Sequence, residues 1–271
     1  NTTGCSNTAT GQAALQSNTT GLWNTGIGNI ALCSNTTGRD NVAVGSSPMS
    51  SNTTGCRNAA TGAYALYSNT TGCEGVAVGY AAIQNNTTGR ANTATGYISL
   101  CSNTTGCRNT ASGTQALRFN TTASQNTASG YLSLQNNTTG ANNTATGAQS
   151  LRNNTTASFN VAVGACSLFA NTTGTRNTAS GYGALKTNTT ASDNTSHGFA
   201  ALNSNTTGAS NTSIGSYSLQ QNTTGTNNTA SGHYAMKANT TGACNTSTGA
   251  FALCKNTTGA LNVAVGRAAL L

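Results

Sequence analysis

The constraint that outweighs all others is a strict period. The triplet Asn-Thr-Thr begins at residue 1 and returns every 17 residues, sixteen times in all, the last at residue 256, with no insertion or deletion. A fixed period of this length marks a unit that cannot bury its own apolar face and stacks on copies of itself. The unit reads N-T-T-G-x-x-N-T-A-T-G-x-x-A-L-x-S, as in Asn1 to Ser17, and its residues are called positions one to seventeen below.

The copies show what each coil requires. Positions one to three are Asn-Thr-Thr and position eleven is Gly in all sixteen, from Gly11 to Gly266. Position seven is Asn except at Gly75, and position nine is Ala, Ser or, once, Gly26. Position fifteen is aliphatic or Met, from Leu15 to Leu270, with Ile83, Met49 and Met236 as variants. Every charged side chain falls at positions five, six, twelve, sixteen or seventeen, which predicts that these are solvated.

Helical repeats are excluded, because two Gly per unit among Thr and Asn would cost a helix several kcal/mol. Short β-runs between Gly-bearing corners fit instead. The corners are Thr3 to Asn7 and Gly11 to Ala13, where Gly supplies positive φ and Asn tolerates it. Ala123, Ala157 and Ala191 replace Gly at the first corner, which argues against left-handed geometry at that position.

The expected fold is therefore all-β: a flattened parallel β-solenoid over residues 1–271, one domain of sixteen coils, two strands per coil. One strand is Asn7 to Gly11 and the other Ala14 to Thr20. Alternation points Leu15 inward and Ala14 and Gln16 outward, with small Ala9 interlocking with Leu15 and Thr8 and Thr10 facing out. His197 at position ten supports this parity, whereas the Val-Ala-Val variants (Val42 to Val44 and three others) lean towards the opposite one. One Leu per coil is worth roughly 1.5–3 kcal/mol and cannot order a coil alone. Stacking supplies the rest, through a Leu/Ala column and hydrogen-bonded Asn and Thr ladders at about 4.8 Å spacing. Sixteen such rises predict a length of about 75 Å.

The units N-T-A-T-G-x-x-A-L and N-V-A-V-G-x-x-A-L resemble the left-handed β-roll repeats of trimeric autotransporter adhesin heads. They are still more similar to the N-T-A-x-G-x-x-A-L-x-x-N-T-T-G arrays of bacterial and phage tail-fibre-like proteins. The resemblance covers all 271 residues and implies extracellular fibres, trimeric assembly and surface adhesion.

Little else in the chain carries chemistry. The net charge of +8 comes from eleven scattered Lys and Arg, without the concentrated basic patch of a nucleic-acid groove. No apolar run approaches the roughly 20 residues of a membrane helix. Asp40, Glu74 and Asp193 all sit at position six of separate coils, which speaks against a paired-carboxylate site and an enzyme. His197 and His233 stand two coils apart at different positions, and no cofactor signature is present.

Of nine cysteines none has a CxxC spacing, which argues against zinc. Cys5, Cys56, Cys73 and Cys107 share position five, and Cys33, Cys101 and Cys254 share position sixteen. Two readings stand: small exposed side chains in variable slots, or a disulfide between Cys56 and Cys73, which fall on adjacent coils. Every Asn-Thr-Thr is formally an N-glycosylation acceptor, but a structural Asn/Thr ladder is the favoured account.

These features predict a structural subunit of an extracellular or virion-surface fibre that associates with copies of itself, end to end or side by side. An adhesin or receptor-binding shaft is the alternative, and an ice-binding solenoid a further one, suggested by Thr8/Thr10, Thr93/Thr95 and Thr144/Thr146. The chain starts at Asn1 without Met or a signal-like segment, as a processed product or the ordered part of a longer one would. The first coil begins in phase, and the last carries Ala268, Ala269, Leu270 and Leu271. The expected assembly ends are Asn1 and Leu15 on one side, Leu270 and Leu271 on the other.

Overall fold

A computed structural model describes residues 1–271 and contains strands, bends and turns but no helix. It is a β-solenoid, each 17-residue repeat forming one coil with a three-residue strand at positions eight to ten. The chain divides into two compact units, Asn1–Thr139 and Gly140–Leu271. The first holds β1 (Thr8–Thr10), β2 (Thr25–Ile27), β3 (Val42–Val44), β4 (Ala59–Thr61), β5 (Val76–Val78), β6 (Thr93–Thr95), β7 (Thr110–Ser112) and β8 (Thr127–Ser129). The second holds β9 (Thr144–Thr146), β10 (Val161–Val163), β11 (Thr178–Ser180), β12 (Thr195–His197), β13 (Thr212–Ile214), β14 (Thr229–Ser231), β15 (Thr246–Thr248) and β16 (Val263–Val265). Within each unit every strand pairs in parallel with the next at a register of one repeat, as in Thr110↔Thr127 and Thr178↔Thr195.

The strand parity follows the alternation argument. Position nine points in, with Ala43, Ala60 and Ala94 fully buried in the first unit and Ala162, Ala179 and Ala230 in the second. Position fifteen fills the space opposite: Leu66, Ile83, Leu100 and Leu117, then Leu151, Leu185, Leu202 and Met236, are all buried. Where position nine is Ser, its hydroxyl finds a carbonyl inside the same coil, Ser196 Oγ donating to Ala201 O at 2.8 Å.

The second strand of each coil does not form. Positions twelve to seventeen are a run of hydrogen-bonded turns, with positive φ at positions thirteen and fifteen in every coil, for instance Gln115 (57°) and Leu117 (51°). Left-handed residues abolish the alternation of a strand. Position fourteen therefore turns inward beside position fifteen, contrary to the outward orientation expected of Ala14: Ala31, Ala65, Ala116 and Ala184 are fully buried. The turn still ladders to the following coil, Leu117 N–H donating to Ser133 O at 3.0 Å, and closes on itself through Asn120 N–H to Leu117 O at 3.1 Å.

The corners are also divided differently. Position four is not left-handed, so Ala123, Ala157 and Ala191 fit there, each nearly fully buried. The left-handed residue of that corner is position six in every coil, whatever its side chain, including Trp23 (54°), Arg57 (56°) and Phe159 (63°). Position eleven does need Gly. Its φ runs from 119° to 137°, and a Cβ on Gly113 would stand 2.6 Å from the carbonyl oxygen of Gly130.

Candidate functional site

The most highly organised chemistry lies where one coil meets the next. At position one, Asn35 Nδ2 donates to Asn18 Oδ1 (2.8 Å) and Gly38 O (3.1 Å), and its own Oδ1 accepts from Asn52 Nδ2 (2.8 Å). At position seven, Asn41 donates its backbone N–H (3.1 Å) and Nδ2 (3.0 Å) to Asn24 Oδ1, and Nδ2 also to Gly55 O (2.8 Å). At position two, Thr36 Oγ1 donates to Thr53 O (3.0 Å), which also accepts the backbone N–H groups of Thr36, Thr37 and Gly38. The second unit repeats this scheme, as in Asn205 Nδ2 to Asn188 Oδ1 at 2.9 Å. No buried side-chain nitrogen or oxygen is left without a partner. A buried Asn costs free energy unless its groups are paired, and here its partners are chiefly the same residue one coil away. From Asn18 to Asn239 the position-one asparagines are buried with their amides engaged, so these triplets act as ladders, whereas Asn1 is exposed and Asn256 half-buried.

The outward surfaces are of three kinds. The sheet face carries positions eight and ten, a column pair of Thr, Val, Ser, Ile and Ala with His197 as its one titratable member. Position three is an exposed Thr in every coil, and no hydrogen bond within the chain engages its hydroxyl. The variable slots hold the charges, none of them buried. There Glu74 pairs with Arg57 (3.3 Å) and Asp193 with Arg176 (2.7 Å). The hydrogen bond from Arg176, and then its charge, holds the Asp193 carboxyl below the usual range.

Asp40, Glu74 and Asp193 are not brought together, and no group of three or more His, Cys, Asp or Glu could hold a metal ion. No helix is long and apolar enough to cross a membrane. Cys56 and Cys73 are brought together, their Sγ atoms 2.8 Å apart as free thiols. Burial pushes the Cys101 thiol up. Of the expected assembly ends, Leu15 is buried, whereas Leu270 and Leu271 are 62% and 59% exposed and line a shared hollow with Leu253 and Asn256.

One surface escaped the sequence reading. In the second unit, rings of Tyr182, Phe199, Tyr217, Tyr234 and Phe251 follow one another on consecutive coils, centroids 5.1 to 5.4 Å apart. In the first unit Tyr64, Tyr80 and Tyr97 do the same at 5.9 and 5.5 Å. The signal was present as aromatics at positions twelve and thirteen of successive repeats, spread over two adjacent slots and so hidden from a column-by-column reading. Set against protein-family models and curated proteins, the chain matches none.

Proposed function

We propose that this chain is a structural element of an extracellular fibre, built by stacking coil upon coil. The observation that supports this reading is the addressing of the buried polar groups: ladder asparagines such as Asn35 and Asn41 complete their hydrogen bonds on the coils above and below. Such a coil is a poor globule and a good building block. A coil packed on one side alone would expose its apolar column at the free edge and leave its ladder groups unpaired. Another coil of the same kind fits that edge by continuing the ladders, which favours end-to-end stacking of copies. As the shaft of an adhesive or receptor-binding fibre the array would serve in the same way, and the trimeric arrangement of similar repeats is one geometry for it.

The test is sedimentation velocity and electron microscopy of the purified chain over a wide concentration range. Long unbranched particles that grow with concentration are expected. Monodisperse single chains at every concentration would overturn the self-stacking reading.

A second reading, ice binding, is favoured by one observation: the sheet face of each unit carries no Asp, Glu, Lys or Arg and is rich in Thr-x-Thr pairs such as Thr93/Thr95 and Thr246/Thr248. Thermal hysteresis decides it. The fibre reading expects none, because Val76, Val78, Val161 and Val163 interrupt the hydroxyl array.

A further inference from the structure

The position-seven ladder has one missing rung, and a pair of thiols lies beside it. In coil 4 (52–68), Asn58 donates its backbone N–H (3.1 Å) and Nδ2 (3.1 Å) to Asn41 Oδ1, and Nδ2 also to Gly72 O (2.9 Å). In coil 5 (69–85) that place is Gly75, which keeps only the backbone bond to Asn58 Oδ1 at 2.8 Å. The side-chain bond back to Asn58 Oδ1 in coil 4 and the one forward to the Gly89 carbonyl in coil 6 are both gone, and Asn92 in coil 6 has no Oδ1 beneath it to accept its N–H. Two residues before Gly75 stands Cys73, and one coil earlier at the same position stands Cys56. No other two cysteines of the chain occupy the same position on successive coils.

We propose that Cys56 and Cys73 form a disulfide that staples coil 4 to coil 5 and so anchors, covalently and from the coil 4 side, the one coil that lacks the Asn rung. The two Sγ atoms lie 2.8 Å apart, and Cys56 N–H donates to Cys73 Sγ at 3.1 Å, so both side chains already face each other. Cys56 and Cys73 lie three residues before β4 and β5, whose parallel spacing of about 4.8 Å is within the roughly 4.4–6.8 Å that a disulfide spans between Cα atoms. The surrounding rungs hold this register: Asn69 Nδ2 to Asn52 Oδ1 (2.8 Å), Thr53 Oγ1 to Thr70 O (3.1 Å) and Glu74 N–H to Cys56 O (3.0 Å).

The chemistry balances with a small-molecule disulfide as oxidant. One thiol loses its proton, its thiolate attacks a sulfur of the oxidant, and one small thiolate leaves. The second protein thiolate then attacks the mixed disulfide and expels the other. Two protein thiols are oxidised by two electrons, and one small disulfide becomes two thiols. Burial first, then the hydrogen bond with Cys73, push the Cys56 thiol up, so closure accelerates as the solution is made alkaline. The staple does not depend on the fibre reading, since it concerns two coils of one chain.

The experiment treats the full chain with excess oxidised glutathione, maps the cysteines by peptide mass spectrometry, and follows amide hydrogen exchange. A peptide pair linking Cys56 to Cys73, two hydrogens lighter than its reduced parts, is expected. Exchange at the amides of Ala59, Glu74 and Val76 should slow by about tenfold to a hundredfold on closure, while those of Thr178 and Thr195 stay unchanged. In Gly75→Asn the rung is restored, so reduced protein should already exchange slowly there and oxidation should add less. Cys73→Ser should abolish the response to glutathione. Separate glutathione adducts on Cys56 and Cys73 without a link would overturn the proposal, as would a link that leaves exchange unchanged. An equal effect of oxidation in wild type and Gly75→Asn would overturn the compensating role.

Discussion

Positions two and three place the same residue side by side with opposite duties. Thr104 Oγ1 donates to Thr121 O at 3.2 Å, whereas the hydroxyl of exposed Thr105 has no bond within the chain. Thr104→Val should therefore cost about 0.5–1.5 kcal/mol, and Thr105→Val less than about 0.5 kcal/mol, both read as shifts in local exchange or in a urea midpoint. Equal costs would show that the hydroxyl bond contributes nothing. Ladder asparagines are more sensitive. Asn109→Ala removes the acceptor of the buried Asn126 N–H, at about 1–3 kcal/mol, while Asn92 Oδ1 keeps the backbone N–H of residue 109 and Ala123 O keeps Asn120 Nδ2. Gly113→Ala sets a Cβ against Gly130 O at 2.6 Å and a φ of 132°, and should prevent local stacking. Native-like exchange in that variant would contradict the left-handed corner. Within one chain, repetition separated these positions without help from relatives: strict identity at Asn1, Thr2 and Gly11 marks geometry that every coil shares. The identity of Thr at position three has no such account in the hydrogen bonds.

At the scale of the coil, the strand and its inward Ala were legible because period-two alternation over Thr-Ala-Thr needs only three residues and small-against-large packing. The opposite side was not legible. Ala-Leu-x-Ser reads as a strand, yet Leu100 at φ 50° and Ile98 at φ 54° are left-handed, a state that sequence propensity disfavours for both residue types. Tertiary packing overrides it, since the turn brings positions fourteen and fifteen inward together, as in buried Ala116 and Leu117. The Leu column is the consequence that mutation can reach. Leu117→Ala, at a fully buried site, should cost about 2–5 kcal/mol, measured as faster exchange in the coils on either side. Leu185→Ala should behave alike in the second unit. A cost below about 1 kcal/mol would mean that the column is not packed as described.

At the scale of the whole molecule, stability is a sum of coil and interface contributions, so a single weak interface limits its neighbourhood more than the whole. Unfolding by urea should accordingly depart from two-state behaviour, with exchange-resolved coils opening at different concentrations. A single sharp transition at every coil would contradict nearest-neighbour stacking. On the proposed fibre reading, assembly would extend the same rule beyond one chain, because an unpaired parallel edge and an open apolar column are templates for another coil. X-ray diffraction from an aligned fibre specimen tests this most directly. Coils stacked along the fibre axis predict a strong meridional reflection near about 4.8 Å, from strands that lie across the axis. A specimen that aligns but gives no such reflection on the meridian, or gives it on the equator, would contradict coil stacking as the basis of the fibre.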